Sequence, residues 1–198
     1  MVDFNGSTLY ISARSPFARR VRLAFRERDI KYEEKILDVL NPPPEFEKIT
    51  PVLKVPVVVL KGGETIIDSN AILKVFYDPK KETALTLKWS GIAMGICETL
   101  VSRFFENLRP PEKRDQEALT EYDTILKRCF SEFEEFIEDK RTISDAGLTQ
   151  ADLDMGTASA YFSLRYDPKW SQRYPNAFAY SSELNKRPSF QETAPPPI

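Results

Sequence analysis

Hydrophobic positions along the chain change their period before its midpoint. Up to about residue 67 they fall in short runs that alternate or are β-branched, and beyond residue 83 they recur at threes and fours. Residues 7–12 (Ser-Thr-Leu-Tyr-Ile-Ser) read as a strand, 17–29 as a helix with Phe17, Val21, Ala24 and Phe25 on one face, and 31–36 as a second strand. A short helix is expected over 45–49, after the Pro42-Pro43-Pro44 run, and a strongly β-branched strand over 55–60. Gly62-Gly63 signals a hairpin into a strand over 64–67, and a helix over 69–77 completes this part. Farther on, Leu119, Tyr122, Leu126, Cys129, Phe133 and then Phe136 or Ile137 mark one face of a long helix. Arg109-Pro110-Pro111 separates it from a helix over 83–107, and the two should form an antiparallel pair. Thr149 and Asp152 have the spacing of a capping box, with Leu148 placed to staple against Leu153, and the apolar run 155–164 that follows reads as a central buried helix.

The order β-α-β-α-β-β-α, joined by a right-handed crossover, is the thioredoxin-like arrangement. Proline supports the division: six of the 15 lie in the first 60 residues, and none lies between Pro111 and Pro168. The fold class is therefore α/β followed by all-α. A thioredoxin-like domain over 1–78 precedes a helical-bundle domain over 84–198, and the polar stretch 78–83 connects them.

Composition narrows the chemistry. With 41% hydrophobic, 12% aromatic and 29% charged residues, disordered and collagen-like classes drop out. A net charge of −2 gives no broad footprint for nucleic acid or anionic lipid, so neither is expected as a partner. Histidine is absent, which removes Ser-His-Asp and Cys-His nucleophiles, histidine metal ligands and a histidine base together. Cys97 and Cys129 form no Cys-x-x-Cys pair; no metal site is written, and both read as buried thiols of a reducing compartment. The longest stretches without Asp, Glu, Lys or Arg, 4–13 and 155–164, are about half a membrane span, and the first basic residue is Arg14. The chain thus reads as cytoplasmic, with no signal peptide and no membrane partner. Arg14, Arg19, Arg20, Arg22, Arg26 and Arg28 crowd the first helix and read as a solvated face paired with Glu27, Glu33 and Glu34. Gly91 and Gly95 are placed for close helix approach within the bundle or across a dimer.

Three motifs then bear on one another. Ser15-Pro16-Phe17-Ala18-Arg19-Arg20-Val21-Arg22 sets a hydroxyl at a helix N-cap and proline at the first helical position. Lys54-Val55-Pro56-Val57-Val58 and Asp68-Ser69-Asn70-Ala71-Ile72 follow at the spacing of the N-terminal domain of cytosolic glutathione transferases, the family that the chain resembles throughout. In the helical half the resemblance extends over Leu108-Arg109-Pro110-Pro111-Glu112, the Thr149 to Asp152 box, and the ending with Trp170, Arg173-Tyr174-Pro175 and Lys186-Arg187-Pro188-Ser189-Phe190. These are most similar to a small bacterial subgroup of glutathione transferase-like proteins. The resemblance implies glutathione as co-substrate, no metal, a homodimer and a role in detoxification. It implies a cis Val55–Pro56 peptide, with the Val55 backbone pairing with the cysteinyl unit as an added strand would. Asp68 would meet the γ-glutamyl ammonium, and Ser69 with the following helix amides the α-carboxylate; Lys54 is a secondary candidate for the glycyl carboxylate or the sulfur. Ser15 matches the catalytic serine or cysteine of related classes, where a hydroxyl donates to the glutathione sulfur, with Ser12 and Tyr10 as rival donors. Phe17, Met94, Arg103 and Tyr161, together with Phe104, Phe105 and Arg165, are candidates for the wall around a small electrophilic second substrate.

The expected function is that of a glutathione S-transferase. A glutathione-dependent peroxidase or isomerase would share every binding residue. The rival from another class is a non-catalytic interaction protein of the stringent-starvation type, because Asn41-Pro42-Pro43-Pro44-Glu45-Phe46 resembles a loop of that RNA-polymerase-associated factor. The glutathione-contacting lysine that some related classes carry in this stretch is missing, since Lys48 lies too close to Thr50-Pro51 to match it. Because position 15 is serine, mixed-disulfide chemistry of the glutaredoxin kind is disfavoured there.

Overall fold

Strand β1 (Ser7–Ile11) runs parallel to β2 (Tyr32–Ile36) and antiparallel to β3 (Val57–Val59), which pairs antiparallel with β4 (Thr65–Ile67), giving the order β2-β1-β3-β4. Helix α1 (Pro16–Arg26) makes the crossover from β1 to β2, α2 (Pro44–Glu47) precedes β3, and α3 (Ser69–Lys74) follows β4. The structure, a computed structural model, describes residues 2–76, 78 and 82–197; Tyr77 and half of the expected connector, 79–81, lie outside the described residues. Two compact units result, Met1–Pro79 with Pro188–Pro196, and Lys80–Arg187 with Pro197–Ile198.

The first unit is the thioredoxin-like mixed sheet with its helices. Strand β3 begins at Val57 rather than at 55, because Pro56 has no N–H for a ladder. Leu9, Ile11, Val57 and Val58 are buried with Val21, Leu23, Ala24 and Phe25 of α1. Phe25 meets Phe4, Tyr32 and Phe76 at centroid distances of 4.9, 5.1 and 5.9 Å, so it joins α1 to both ends of its neighbouring sequence. Helix α2 contributes one fully buried ring, Phe46, against Tyr10 at 5.6 Å.

The basic face of α1 departs from the solvated surface that charge patterning suggests. Arg19 and Arg20 are 5% and 3% exposed. The row binds the returning segment Pro188–Pro196, which contains α8 (Pro188–Glu192). Arg14 donates to the Pro196 carbonyl at 3.2 Å, Arg19 to that of Phe190 at 3.3 Å, and Arg22 to that of Thr193 at 3.3 Å. Ser189 hydrogen-bonds Glu27, Arg26 pairs with Glu192 at 3.4 Å, and the Arg19 guanidinium lies over the Phe190 ring. The expected acidic pairing survives only in part: Glu34 meets Arg22 at 2.9 Å and Arg26 at 3.8 Å, and Glu33 is exposed. Residues 188–196 thus pack with the sheet unit instead of remaining within the helical stretch 84–198.

In the second unit α4 (Ala84–Leu108) and α5 (Gln116–Phe136) are antiparallel, as Lys88 pairs with Glu132 and Arg103 with Asp123. Thr83 caps α4 and Asp115 caps α5, each accepting an amide three residues on, at 3.2 and 3.0 Å. Helix α6 (Gln150–Arg165) is the central buried one: residues 151–159 are all enclosed, and Phe162 stacks on Phe130 of α5 at 4.0 Å. Trp170 and Tyr174, leading into α7 (Pro175–Leu184), close the aromatic cluster on Phe130 at 5.5 and 5.6 Å. A Cβ at Gly91 or Gly95 would meet nothing within 4 Å, so these glycines serve no close approach inside the bundle. Cys97 is buried and Cys129 only half-buried, its thiol pushed up by burial and then by Glu132. No helix among the described residues is long and apolar enough to cross a membrane.

Asp152, fully buried, organises the start of α6. Its carboxylate accepts the Thr149 amide and hydroxyl, both at 2.7 Å, the Ile143 amide at 2.8 Å and the Tyr180 hydroxyl at 2.7 Å. Asp152→Ala should cost about 3 kcal/mol or more in urea unfolding, because several buried donors lose their acceptor at once. The Tyr180 phenol is raised well above its ordinary value, by burial first and then by the Asp152 carboxylate. A raised folded value favours the protonated form, so its contribution is present below the unfolded pKa of about 10 and lost as pH rises toward the folded one. Tyr180→Phe should therefore lower stability by about 1 kcal/mol at neutral pH and flatten the alkaline fall, as read by thermal melts between neutrality and high pH.

Arg22→Ala should loosen residues 188–196 before the sheet itself. Amide hydrogen exchange at 189–194 should quicken about tenfold while the β1 and β3 amides keep their protection. Equal acceleration in both would show that the segment has no separate fastening.

Candidate functional site at one end of the sheet

Strand register brings three separate loops together. Tyr10 of β1 faces Val57 of β3, and Val57 faces Ile67 of β4. Tyr10 lies one residue from the end of β1, Val57 opens β3 and Ile67 closes β4. The chain leaving β1 toward Ser15, the chain entering β3 through Val55-Pro56, and the chain leaving β4 into Asp68-Ser69 consequently all emerge at the same end of the sheet.

Ser15 is extended and half-buried. Its Oγ accepts the Ala18 amide at 3.2 Å and so caps α1, while Pro16 occupies the first helical position. Because that oxygen is an acceptor toward the amide, the hydroxyl proton is left to point elsewhere. The Val55–Pro56 peptide is cis, Pro56 is buried, Val55 is half-buried and Lys54 is exposed. Val55 precedes the β1–β3 ladder, which spans 57–59 on its strand.

Asp68 has φ +79 and ψ 136, a conformation that costs a residue with a side chain about 1–3 kcal/mol. Its Oδ1 accepts the Asn70 amide at 2.7 Å, capping α3, and the residue is exposed. Ser69, 2% exposed, accepts a hydrogen bond from Arg20 Nη1 at 3.2 Å, and the same nitrogen donates to Asn70 Oδ1 at 2.6 Å. The helix carrying Ser15 is thereby tied to the one that follows Asp68.

The other candidates are placed differently. The Tyr10 ring lies between Phe46 and the Lys35 ammonium, which is 5.6 Å from its centroid, and lines a cavity of about 270 Å³ with Lys35, Pro43 and Phe46. Ser12 is half-buried, and its carbonyl accepts the Ser15 amide at 2.9 Å. Phe17 is half-buried on α1 and Met94 half-buried on α4. Arg103 is engaged by Asp123 at 2.7 Å and by the Tyr166 ring at 4.8 Å. Tyr161 is 5% exposed on α6, its phenol pushed up by burial and partly lowered again by Arg165. Arg165 also lies over the Phe104 ring at 4.1 Å, while Phe105 is exposed.

Charge patterning overlooked Arg20 and the neighbouring Asn70. The signal was present: Arg20 stands three residues after Phe17 and four before Ala24, on the face already assigned to the core. Likewise Pro175 and Pro188 open α7 and α8, a helix-start signal that hydrophobic periodicity alone did not use.

Residues 9–84 match the family model described as glutathione S-transferase, N-terminal domain. The chain is 26% identical over 186 residues to the probable glutathione S-transferase DHAR1, cytosolic, of Oryza sativa subsp. japonica, covering 90% of this chain and 83% of that protein. Among solved structures it is similar to a glutathione S-transferase of Methylobacillus flagellatus KT with glutathione bound, at a TM-score of 0.87 and 25% identity over 96% of this chain and 100% of the other. It is also similar to a glutathione S-transferase of Methylobacterium radiotolerans JCM 2831 in complex with glutathione sulfonate, at a TM-score of 0.89 and 25% identity over 96% of this chain and 95% of the other.

Proposed function

We propose that this chain is a member of the glutathione S-transferase family, whose N-terminal domain its residues 9–84 match, and that it binds reduced glutathione at the Ser15 end of its sheet and activates the thiol for attack on a small electrophilic or hydrophobic substrate. The observation that carries this reading is the convergence, through the Tyr10–Val57–Ile67 register, of Ser15, Val55-Pro56 and Asp68-Ser69.

Each segment has a distinct task in the reading. The Val55 backbone, just outside the ladder, pairs with the cysteinyl unit as an added strand would. The Asp68 carboxylate takes the γ-glutamyl ammonium, and Ser69 the α-carboxylate. Lys54, exposed at the entry to β3, is a secondary partner for the glycyl carboxylate. The strained backbone of Asp68 supports the assignment, since a conformation of that cost persists where surrounding structure holds a side chain for use.

A thiol with the ordinary pKa of about 8.5 is mostly protonated at neutrality. Ser15 donates its hydroxyl to the sulfur, and the amino end of α1 adds positive potential, so that the anion is favoured. The thiolate then attacks the electrophilic carbon: a carbon–sulfur bond forms and the leaving group departs with its electron pair, or an activated double bond takes up the pair and afterwards a proton. Serine at position 15 offers no sulfur for a mixed disulfide, which favours conjugation over thiol exchange through that residue. As in the family, the same reading carries a homodimer, a cytoplasmic location and a part in detoxification.

Isothermal titration with reduced glutathione tests the site. Saturable binding by the wild type, weakened about tenfold or more in Asp68→Ala, is expected for loss of a charge-assisted contact. Wild type that is folded yet binds nothing at millimolar glutathione would turn the assignment toward an interaction protein on the same fold. Ser15→Ala should leave affinity nearly unchanged and raise the pKa of the bound thiol by about one, as followed by the ultraviolet absorbance of the thiolate across a pH series. Equal values in mutant and wild type would remove Ser15 from the mechanism.

A further inference from the structure

Alternation along β1 buries Ser7, Leu9 and Ile11 and leaves Thr8 and Tyr10 on the other face of the sheet. Tyr10 stands beside Lys35 in the parallel register with β2, and the Lys35 ammonium lies 5.6 Å from the centre of its ring. Helix α2 covers this face through a single buried ring, Phe46, at 5.6 Å from that of Tyr10. So short a helix leaves a gap beside the edge strand β2, the cavity of about 270 Å³. Tyr10, Pro43, Phe46 and Ile49 give it an apolar lining, while Lys35 from β2 and Glu45 from α2 face it with opposite charges. No ion pair joins these two. Among the described residues, neither charged group nor the Tyr10 hydroxyl has a hydrogen-bond partner.

A simple anion would meet Lys35 at the expense of Glu45, and a simple cation the reverse. A molecule with both charges on one carbon satisfies both groups and brings no net charge against the apolar lining. Its body must be apolar, to replace water on Pro43, Phe46 and Ile49. Size limits it further: 270 Å³ is just below the roughly 300–1,000 Å³ usual for ligand pockets, room for one ring and not for an acyl chain or a peptide of several residues. We propose that this cavity binds a free aromatic α-amino acid, its carboxylate on Lys35 and the Tyr10 hydroxyl, its ammonium on Glu45 and its ring among Pro43, Phe46 and Ile49. The site uses none of Ser15, Val55, Asp68 or Ser69 and so stands independently of the glutathione reading. Tyr10, by sequence a rival donor to the glutathione sulfur, serves a different ligand here.

The experiment is a nuclear magnetic resonance titration of the nitrogen-15-labelled chain with phenylalanine, 3-phenylpropionate, which lacks the ammonium, and phenethylamine, which lacks the carboxylate. Phenylalanine should bind saturably with a Kd of about 1 mM and move the amide signals of residues 35–37 and 45–49. Each analogue should bind about tenfold more weakly, for the loss of one charge-assisted contact. Lys35→Met should remove the preference for phenylalanine over phenethylamine and keep that over 3-phenylpropionate; Glu45→Gln should do the opposite. Both side chains are exposed, so neither substitution burdens the fold. Saturating glutathione should leave the phenylalanine affinity unchanged. No saturable binding at about 20 mM phenylalanine, preferences that the two variants leave in place, or displacement by glutathione would each overturn the assignment.

Discussion

Arg20 reaches from α1 to the first turn of α3 inside a region where it is almost wholly enclosed, and a guanidinium taken out of water is tolerated only when its donors are met. Two of its partners are the residues after Asp68, so the helix that carries Ser15 and the helix that carries Ser69 are tied by the same side chain. Movement of α1 along the sheet would break both bonds. The relative positions of the loops at this end therefore depend on a buried cation as much as on the strand ladder.

The remaining arginines of α1 extend the same constraint to the returning segment. Arg14, Arg19 and Arg22 all donate to main-chain carbonyls of 190–196. Carbonyls are present whatever side chains the segment carries, so this fastening tolerates sequence change on its far side. The outer face of α1 is thus covered by a stretch of chain that follows the helical unit, and a helix with eight buried residues gains a partner on a side the sheet cannot reach. The helical unit is built on a different principle. Its central helix is enclosed by aromatic rings, and Asp152 collects four hydrogen bonds at the point where that helix starts.

Much of this was legible in the chain. Strand alternation, the Gly62-Gly63 turn and the Thr149 to Asp152 spacing are local signals, and each element they mark is present, with ends displaced by a few residues where a cap or a proline decides. Ser15, Val55-Pro56 and Asp68-Ser69 were singled out by the resemblance of their motifs to a known family, and the strand register brings the three segments to one end of the sheet. What was not legible depends on partners distant in sequence. Arg19 and Arg20 looked solvated because a charge on a helix is normally exposed, but Arg19 meets a segment about 170 residues away and Arg20 the start of α3 about 50 residues away. Tyr161 and Arg103 looked like pocket lining because an apolar or cationic side chain on a helix does not reveal its neighbours; Asp123 and Tyr166 supply those for Arg103. Gly91 and Gly95 show the converse, a spacing that suggests close contact and finds open space within the bundle.

Capping and chemistry are not competing explanations for Ser15 and Asp68. Each residue caps its helix through one lone pair or one oxygen: Ser15 Oγ on the Ala18 amide, and Asp68 Oδ1 on that of Asn70. The cap fixes the rotamer and leaves the chemically useful part, a hydroxyl proton in one case and the second carboxylate oxygen in the other, outside that bond. A side chain held in this manner loses little further freedom when a ligand arrives, which is the physical content of preorganisation. Structural hydrogen bonds at this end of the sheet therefore fix which atoms of each side chain stay outside them, the second carboxylate oxygen of Asp68 and the hydroxyl protons of Ser15 and Ser69.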